Sequence, residues 1–92
     1  MIEEITISGE NQFTNWKYFS GNSNVDLSIG GTLSDSTVTL QRKFKKYGDI
    51  LDSDIFTFIT ETFFFVSAPG YYRVGVKSGD YGLDSPKLKM VY

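Results

Sequence analysis

The sequence contains no cysteine and no histidine. Without cysteine, neither a disulfide framework nor a thiolate metal site can stabilise the fold. Without histidine, the chain lacks the commonest general base, the commonest metal ligand and the side chain that titrates near physiological pH. A serine or threonine nucleophile therefore has no partner for a familiar catalytic triad. We expect a protein that is not an enzyme and that uses no metal and no cofactor.

Long apolar runs and targeting signals are also missing. The longest apolar run is Phe63–Val66, far shorter than a membrane span. The first residues, Met1–Ile7, are acidic where a signal peptide needs positive charge. The net charge of −2 opposes bulk attraction to nucleic acid or to an anionic membrane. We expect a chain made in the cytoplasm without a signal peptide, with neither nucleic acid nor a membrane as its partner.

Aromatic residues are abundant in this short chain. The 92 residues include eight Phe, six Tyr and one Trp. So few residues form one hydrophobic core, and large aromatic side chains help to fill it. The sequence therefore predicts one domain over residues 1–92, with some aromatic side chains left at its surface for contacts with other molecules.

Apolar and polar residues alternate along most of the chain, which is the pattern of half-buried β-strands. The pattern is clearest after the turn at Pro69-Gly70, where apolar residues occupy every second position up to Val76. No window shows helical spacing. The predicted strands are 2–7, 16–19, 25–29, 38–44, 50–59, 62–66, 72–77 and 87–92. We predict an all-β fold, a single antiparallel β-sandwich of about seven strands, immunoglobulin- or fibronectin III-like or jelly-roll-like.

Four positions indicate irregularities in these strands. Gly30-Gly31 is expected to stop or bulge the strand that precedes it. Strict alternation would point the Arg42 side chain into the core, which predicts either an open strand end there or a bulge that reverses its direction. A bulge is expected near Asp52–Asp54, and residues 46–49 form a hairpin-type turn.

Two charged clusters suggest binding sites and also have simpler interpretations. The acids Asp49, Asp52, Asp54 and Glu61 offer oxygen ligands for calcium, but they lack the spacing of an EF-hand and suit a solvated turn. The basic cluster 42–47 contains two aromatic residues, as in grooves that hold single-stranded nucleic acid. The sequence favours a simpler interpretation, a hairpin tip made soluble by charge, over a protein contact or a nucleic-acid site.

Aromatic residues near turns are the candidate contact residues. We expect Trp16 to fill one end of the core, as a strand Trp does in immunoglobulin-like domains. Turns are expected to keep Tyr47 and Tyr81 at the surface. With Tyr18 and the lysines of the basic cluster, they form the predicted partner-binding set: Tyr47, Tyr81, Lys45, Lys46 and Tyr18.

Three segments carry a resemblance to a known group of proteins. They are Val38–Phe44, Asp54–Phe58 and Pro69–Gly79. Together they look like the small β-sandwich structural proteins of tailed-bacteriophage virions, in which a "VTLQRSFD"-type and a "YYRVGV"-type strand recur. The final strands also resemble immunoglobulin-like and fibronectin III domains. Where the phage proteins often carry Gly-Gly and Trp in a hairpin, this chain has Lys45–Gly48.

The resemblance implies a non-enzymatic virion component, such as a capsid decoration protein or a head- or tail-fibre adaptor. Its partners would be other virion proteins (capsid, portal, tail or fibre) and copies of itself in a multi-copy assembly. The alternatives are a carbohydrate- or cell-surface-binding sandwich that uses loop aromatics, and a single-stranded nucleic-acid binder that uses the basic cluster 42–47.

Overall fold

The computed structural model describes residues 1–44, 53–66 and 68–92. These residues form β-strands and connecting turns, and alternation of apolar and polar side chains sets the face that each strand buries. The strands are β1 (Ile2–Thr6), β2 (Gln12–Phe13), β3 (Lys17–Phe19), β4 (Ser23–Thr32), β5 (Val38–Lys43), β6 (Ser53–Phe58), β7 (Thr62–Val66), β8 (Gly70–Val76) and β9 (Ser85–Val91).

The strands form two antiparallel sheets. The first sheet has the order β1-β9-β4-β7, and the second has the order β2-β8-β5-β6 with β3 also paired to β8. Because β2 and β3 both pair with β8, they act as one interrupted edge strand. The predicted all-β sandwich is confirmed, with nine strands in the described residues rather than about seven.

The strand order identifies the sandwich as a jelly roll. With β2 and β3 taken as one strand, eight strands divide into two four-stranded sheets, and successive strands from β4 onwards change sheet except for the β5–β6 pair. An immunoglobulin fold would pair its last two strands in one sheet. Here β8 and β9 lie in opposite sheets, so of the predicted alternatives the jelly roll is the correct one.

The core lies between the sheets and is mostly aliphatic. Alternate residues of β4, β5, β8 and β9 fill it, and Ile7 and Phe19 join them. Among the aromatic side chains, Tyr72 is buried and Phe64 packs beside it with ring centroids 5.4 Å apart. Several other aromatic rings therefore remain outside the core.

Local predictions about irregular positions had mixed outcomes. β4 does not end at Gly30-Gly31 but continues to Thr32, with Gly31 at a φ of 69°. A bulge lies in β6 at Ile55, next to the predicted position, because the β5–β6 register shifts between Leu40 and Gln41. It does not change the direction of Arg42, which stays opposite Tyr72 near the end of β5.

Candidate functional site

Exposed apolar side chains lie along β6, β7 and their connection, the two strands being the last in their respective sheets. We use the name apolar edge for the exposed side chains of Ile55, Ile59, Phe63 and Phe65. Phe63 and Phe65 are 68% and 54% exposed, and Ile59 is 67% exposed. Clustered exposed apolar side chains on a soluble domain mark sites of interaction.

The run of aromatic residues in β7 explains this exposure. Successive side chains of a strand point to opposite faces. Phe64 therefore points into the sandwich, where its ring lies 6.5 Å from that of Phe56, while its two neighbours in sequence point outward. The alternation that turns Thr62, Phe64 and Val66 towards the other sheet leaves Phe63 and Phe65 in solvent. The sequence contained this signal, because three consecutive Phe residues cannot all face one core.

An open groove of about 430 Å³ runs along the outer face of the first sheet beside β7. Phe63 and Val91 give it apolar walls, while Asp26 and Glu61 give it acidic ones. The Ser28 hydroxyl donates a hydrogen bond of 3.3 Å to the Glu61 carboxylate. The groove is thus continuous with the apolar edge and negatively charged on that side.

Trp16 lies on the outer face of the second sheet, so its predicted core position is wrong. The Arg73 guanidinium lies 4.3 Å from the centre of the Trp16 ring and 4.0 Å from that of Phe13. Lys43 Nζ lies 4.5 Å from the Trp16 ring. Because β8 points Arg73 outward beside the short β2, the Trp ring stacks on cations there, and its role is to fix the β2–β3 segment to the sheet.

A row of polar side chains continues across the same face. Arg73 Nε donates to Gln41 Oε1 at 2.9 Å, and Gln41 Nε2 donates to Asp54 Oδ1 at 3.0 Å. Lys77 Nζ lies 2.6 Å from Asp54 Oδ2. The hydrogen bonds from Lys77 and Gln41 lower the pKa of Asp54, and the carboxylate in turn raises the pKa of Lys77. The Lys77–Asp54 ion pair at the end of this row is solvated, so it stabilises the fold only weakly, whereas Gln41 in its middle is buried.

The predicted contact residues are dispersed over the molecule. Tyr18 is 48% exposed and lies against Tyr71, with ring centroids 5.1 Å apart. Tyr81 is half-buried and packs against the core, which corrects the expectation that its turn keeps it at the surface. Lys45, Lys46 and Tyr47 lie outside the described residues. The structure thus brings no two of the predicted contact residues together within its described part.

The two charged clusters are also divided. Asp54 lies on β6 in the second sheet, whereas Glu61 precedes β7 in the first sheet, and Asp49 and Asp52 lie outside the described residues. Within the described part of the chain, no three acidic side chains are grouped as a metal ion requires. In the basic cluster, the Arg42 guanidinium lies 4.7 Å from the Phe44 ring and Lys43 stacks on Trp16. These two residues serve intramolecular contacts.

None of the described residues belongs to a helix long and apolar enough to span a membrane. A scan against protein-family models and searches of curated proteins and of solved structures found no match to this chain. Function is therefore inferred from the residues at the surface. Its main candidate site is the apolar edge with the adjoining acidic groove.

Proposed function

We propose that this chain is a non-enzymatic structural component of a tailed-bacteriophage virion that acts by docking in a multi-copy assembly. The single observation that supports this most is the apolar edge. Phe63 and Phe65 lie on the same face of β7 and are both more than half exposed. Assembly would bury them.

The fold adds support by analogy. Jelly rolls occur in viral capsid proteins and in lectins. A fold hosts many functions, so this likeness raises the expectation of a structural role without identifying a partner. The small size of the domain acts in the same direction, because a core of 92 residues buries a modest fraction of the chain and gains from surface buried against neighbours.

The proposal has a genomic and a biochemical test. The genes beside this one should encode capsid, portal, tail or fibre proteins. Purified chain should cosediment with particles of the phage that encodes it. The double variant Phe63→Lys/Phe65→Lys should cosediment at least about tenfold less, since each lysine would have to be buried in the contact.

Leu83→Lys is the matched control. Leu83 is also an exposed apolar residue, 89% exposed, but it lies in the β8–β9 connection away from the apolar edge. This variant should cosediment like the wild type. The proposal is wrong if the wild-type chain ignores the particles, or if the double variant binds them as well as the control does.

A second candidate function, carbohydrate binding, is favoured by one observation. The Tyr18 and Tyr71 rings form a tilted pair on the outer face of the second sheet, and exposed aromatic rings are common platforms for sugars. Under this hypothesis, Tyr18→Ala abolishes binding on a glycan array while Phe63→Lys leaves it unchanged. Absence of glycan binding by the wild-type chain removes the candidate.

A further inference from the structure

The four strand edges of the two sheets differ in their protection against pairing. Natural edge strands avoid pairing through charged residues, bulges or very short length. β1 carries Glu3 and Glu4, and β6 carries Asp54 and the bulge at Ile55. A third edge is divided between β2 and β3, which have two and three residues.

β7 has none of these protections. Its sequence TFFFV contains no charge and no proline, and it pairs with β4 in unbroken register. Within the described residues, its other edge has no neighbouring strand. Two of its side chains are large, apolar and exposed. An edge of this kind is a template for another strand.

The backbone of β7 shows which groups point to its open edge. The carbonyl of Val66 accepts a hydrogen bond of 2.6 Å from the amide of Asn22, on the β4 side. The amide and carbonyl of one residue point to the same edge of a strand, and successive residues alternate. Thr62, Phe64 and Val66 therefore bond towards β4. The amides and carbonyls of Phe63 and Phe65 point to the open edge.

From this arrangement we infer that the occupant of the open edge is β7 of a second copy, paired antiparallel about a two-fold axis through Phe64. The inference rests on the proposed function, because it names the partner at the apolar edge. In this arrangement the first sheet of one copy and the first sheet of the other join into one continuous eight-stranded sheet. Phe63 of each copy lies opposite Phe65 of the other.

The open-edge backbone groups select this register. Centring on Phe64 makes two hydrogen-bonded pairs, each between Phe63 of one copy and Phe65 of the other, and it aligns all five residues of both strands. Each such pair exchanges two N–H···O bonds. Centring on Phe63 or Phe65 would keep just one such pair within the strands. The chosen register also gives two aromatic cross-strand pairs, a favourable combination.

The charge pattern favours a second copy as the occupant. In the β4–β7 register, Asp26 lies opposite Phe63 and Asn24 lies opposite Phe65. Across the proposed β7–β7 pairing, each Asp26 then lies in the same cross-strand line as the uncharged Asn24 of the other copy, with two Phe rings between them. No like charges meet. Self-pairing of β1 about its centre would instead place Glu4 opposite Glu4, which is destabilising.

The size of the contact sets its strength. A fully buried Phe side chain accounts for about 150–250 Å². The exposed fractions of Phe63 and Phe65 then correspond to on the order of 250 Å² of apolar surface per copy. A stable interface needs about 800 Å² from each partner. Pairing through β7 alone is therefore weak in free solution and suits an assembly that holds each copy through further contacts.

Cysteine cross-linking tests the pairing without background, because the chain has no native cysteine. Residues in a hydrogen-bonded antiparallel pair have Cα atoms about 5.5 Å apart, within the range of a disulfide. A mixture of Phe63→Cys and Phe65→Cys proteins should form a mixed disulfide dimer under mild oxidation. Either variant alone should cross-link at least about tenfold more slowly, because its two sulfurs would start from Cα atoms about 8–9 Å apart.

Sedimentation of the chain without added cysteine gives a second readout. The mass-average molecular mass of the wild type should rise as its concentration is raised from about 10 µM to about 1 mM, as a weak dimer requires. Phe65→Lys should remain a monomer, while Ile2→Lys, on the opposite edge of the same sheet, should behave like the wild type. The inference is overturned if either cysteine variant cross-links alone as fast as the mixture, or if the wild type stays monomeric throughout.

These results separate the inference from the proposed function. If Phe63→Lys/Phe65→Lys fails to bind particles but no copy-to-copy cross-link forms, the apolar edge docks on a different protein and the inference alone is wrong. If the mixed disulfide forms and particle binding is absent, the pairing is real and the virion role is wrong.

Discussion

Asp84 holds the connection before β5 in place through its carboxylate. Its Oδ2 accepts hydrogen bonds from the backbone amides of Ser34, Asp35 and Ser36 at 2.7, 3.0 and 3.1 Å. The Ser36 hydroxyl donates to Oδ1 and in turn accepts from the amide of Gly82. Burial of Asp84 opposes ionisation, but these hydrogen bonds outweigh it and hold the pKa of the carboxyl well below its usual 3.8.

This carboxylate should make stability depend on pH. The folded-state pKa is lower than the unfolded one, so the unfolded state binds more protons between the two values. The contribution of Asp84 is complete above about pH 5 and is lost progressively as pH falls from the unfolded pKa through the lower folded-state pKa. Asp84→Asn should lower the free energy of unfolding at pH 7 by about 2–3 kcal/mol, because buried amides lose a charged acceptor.

Urea unfolding of both proteins between pH 7 and pH 2.5 measures the effect. The difference in free energy between wild type and Asp84→Asn should shrink towards the acid end. Asp35→Asn serves as the control, since Asp35 is exposed and accepts none of the hydrogen bonds that hold Asp84. A difference that stays constant with pH would show that Asp84 acts by shape alone.

Among the predicted strands, β4 extends furthest beyond its expected bounds, 25–29, since it runs from Ser23 to Thr32. It pairs with β9 over seven residues, through Gly31 to Thr32. Gly31 has a φ of 69°, and a Cβ placed on it would lie 2.6 Å from the carbonyl oxygen of Ser85. Consecutive glycines are usual at the end of a strand, so the pattern indicated a stop. The close approach of β9 that requires glycine comes from tertiary structure.

Gly31→Ala should therefore destabilise the domain far more than Gly30→Ala. Alanine at position 31 would combine a left-handed backbone with a steric clash, at a cost of roughly 2 kcal/mol or more. At Gly30 the nearest atom to an added Cβ is 3.8 Å away, an ordinary contact, so the change should be within about 0.5 kcal/mol. Thermal unfolding of the two variants compares them directly. Equal effects would mean that Gly31 has no special backbone role.

The predictability of each strand depended on how its two faces differ. In β8, buried Tyr72 and Val74 alternate with the outward Arg73, and the sequence predicted both the strand and its faces. In β7 all the central residues are apolar, so the pattern predicted a strand but not the face that stays exposed. Trp16 was misplaced for a related reason. Its partners Arg73 and Lys43 are distant in sequence, and no local pattern shows a stack on cations.

At the scale of the molecule, the sequence predicted a sandwich but did not distinguish the jelly roll from its alternatives. Strand order depends on contacts between segments far apart in the chain, such as β1 with β9, which join Ile2 to Val91. The connection that ends in the Pro69-Gly70 turn and the connection after Val76 look like those of hairpins, yet each carries the chain from one sheet to the other. The candidate site depends on this order, because it makes β7 an edge strand.

Stability of the whole domain should depend on protein concentration if β7 pairs with its copy. Association stabilises the folded state by mass action, and with a Kd on the order of 100 µM the gain at about 1 mM is about 1 kcal/mol. For a domain of this size that gain raises Tm by about 4–8 °C. Calorimetry from about 10 µM to about 1 mM should show this rise in the wild type and in Leu83→Lys. In Phe63→Lys/Phe65→Lys, Tm should stay constant, since the exposed rings that the contact buries are gone. A Tm independent of concentration in the wild type would mean that β7 does not pair with itself in solution.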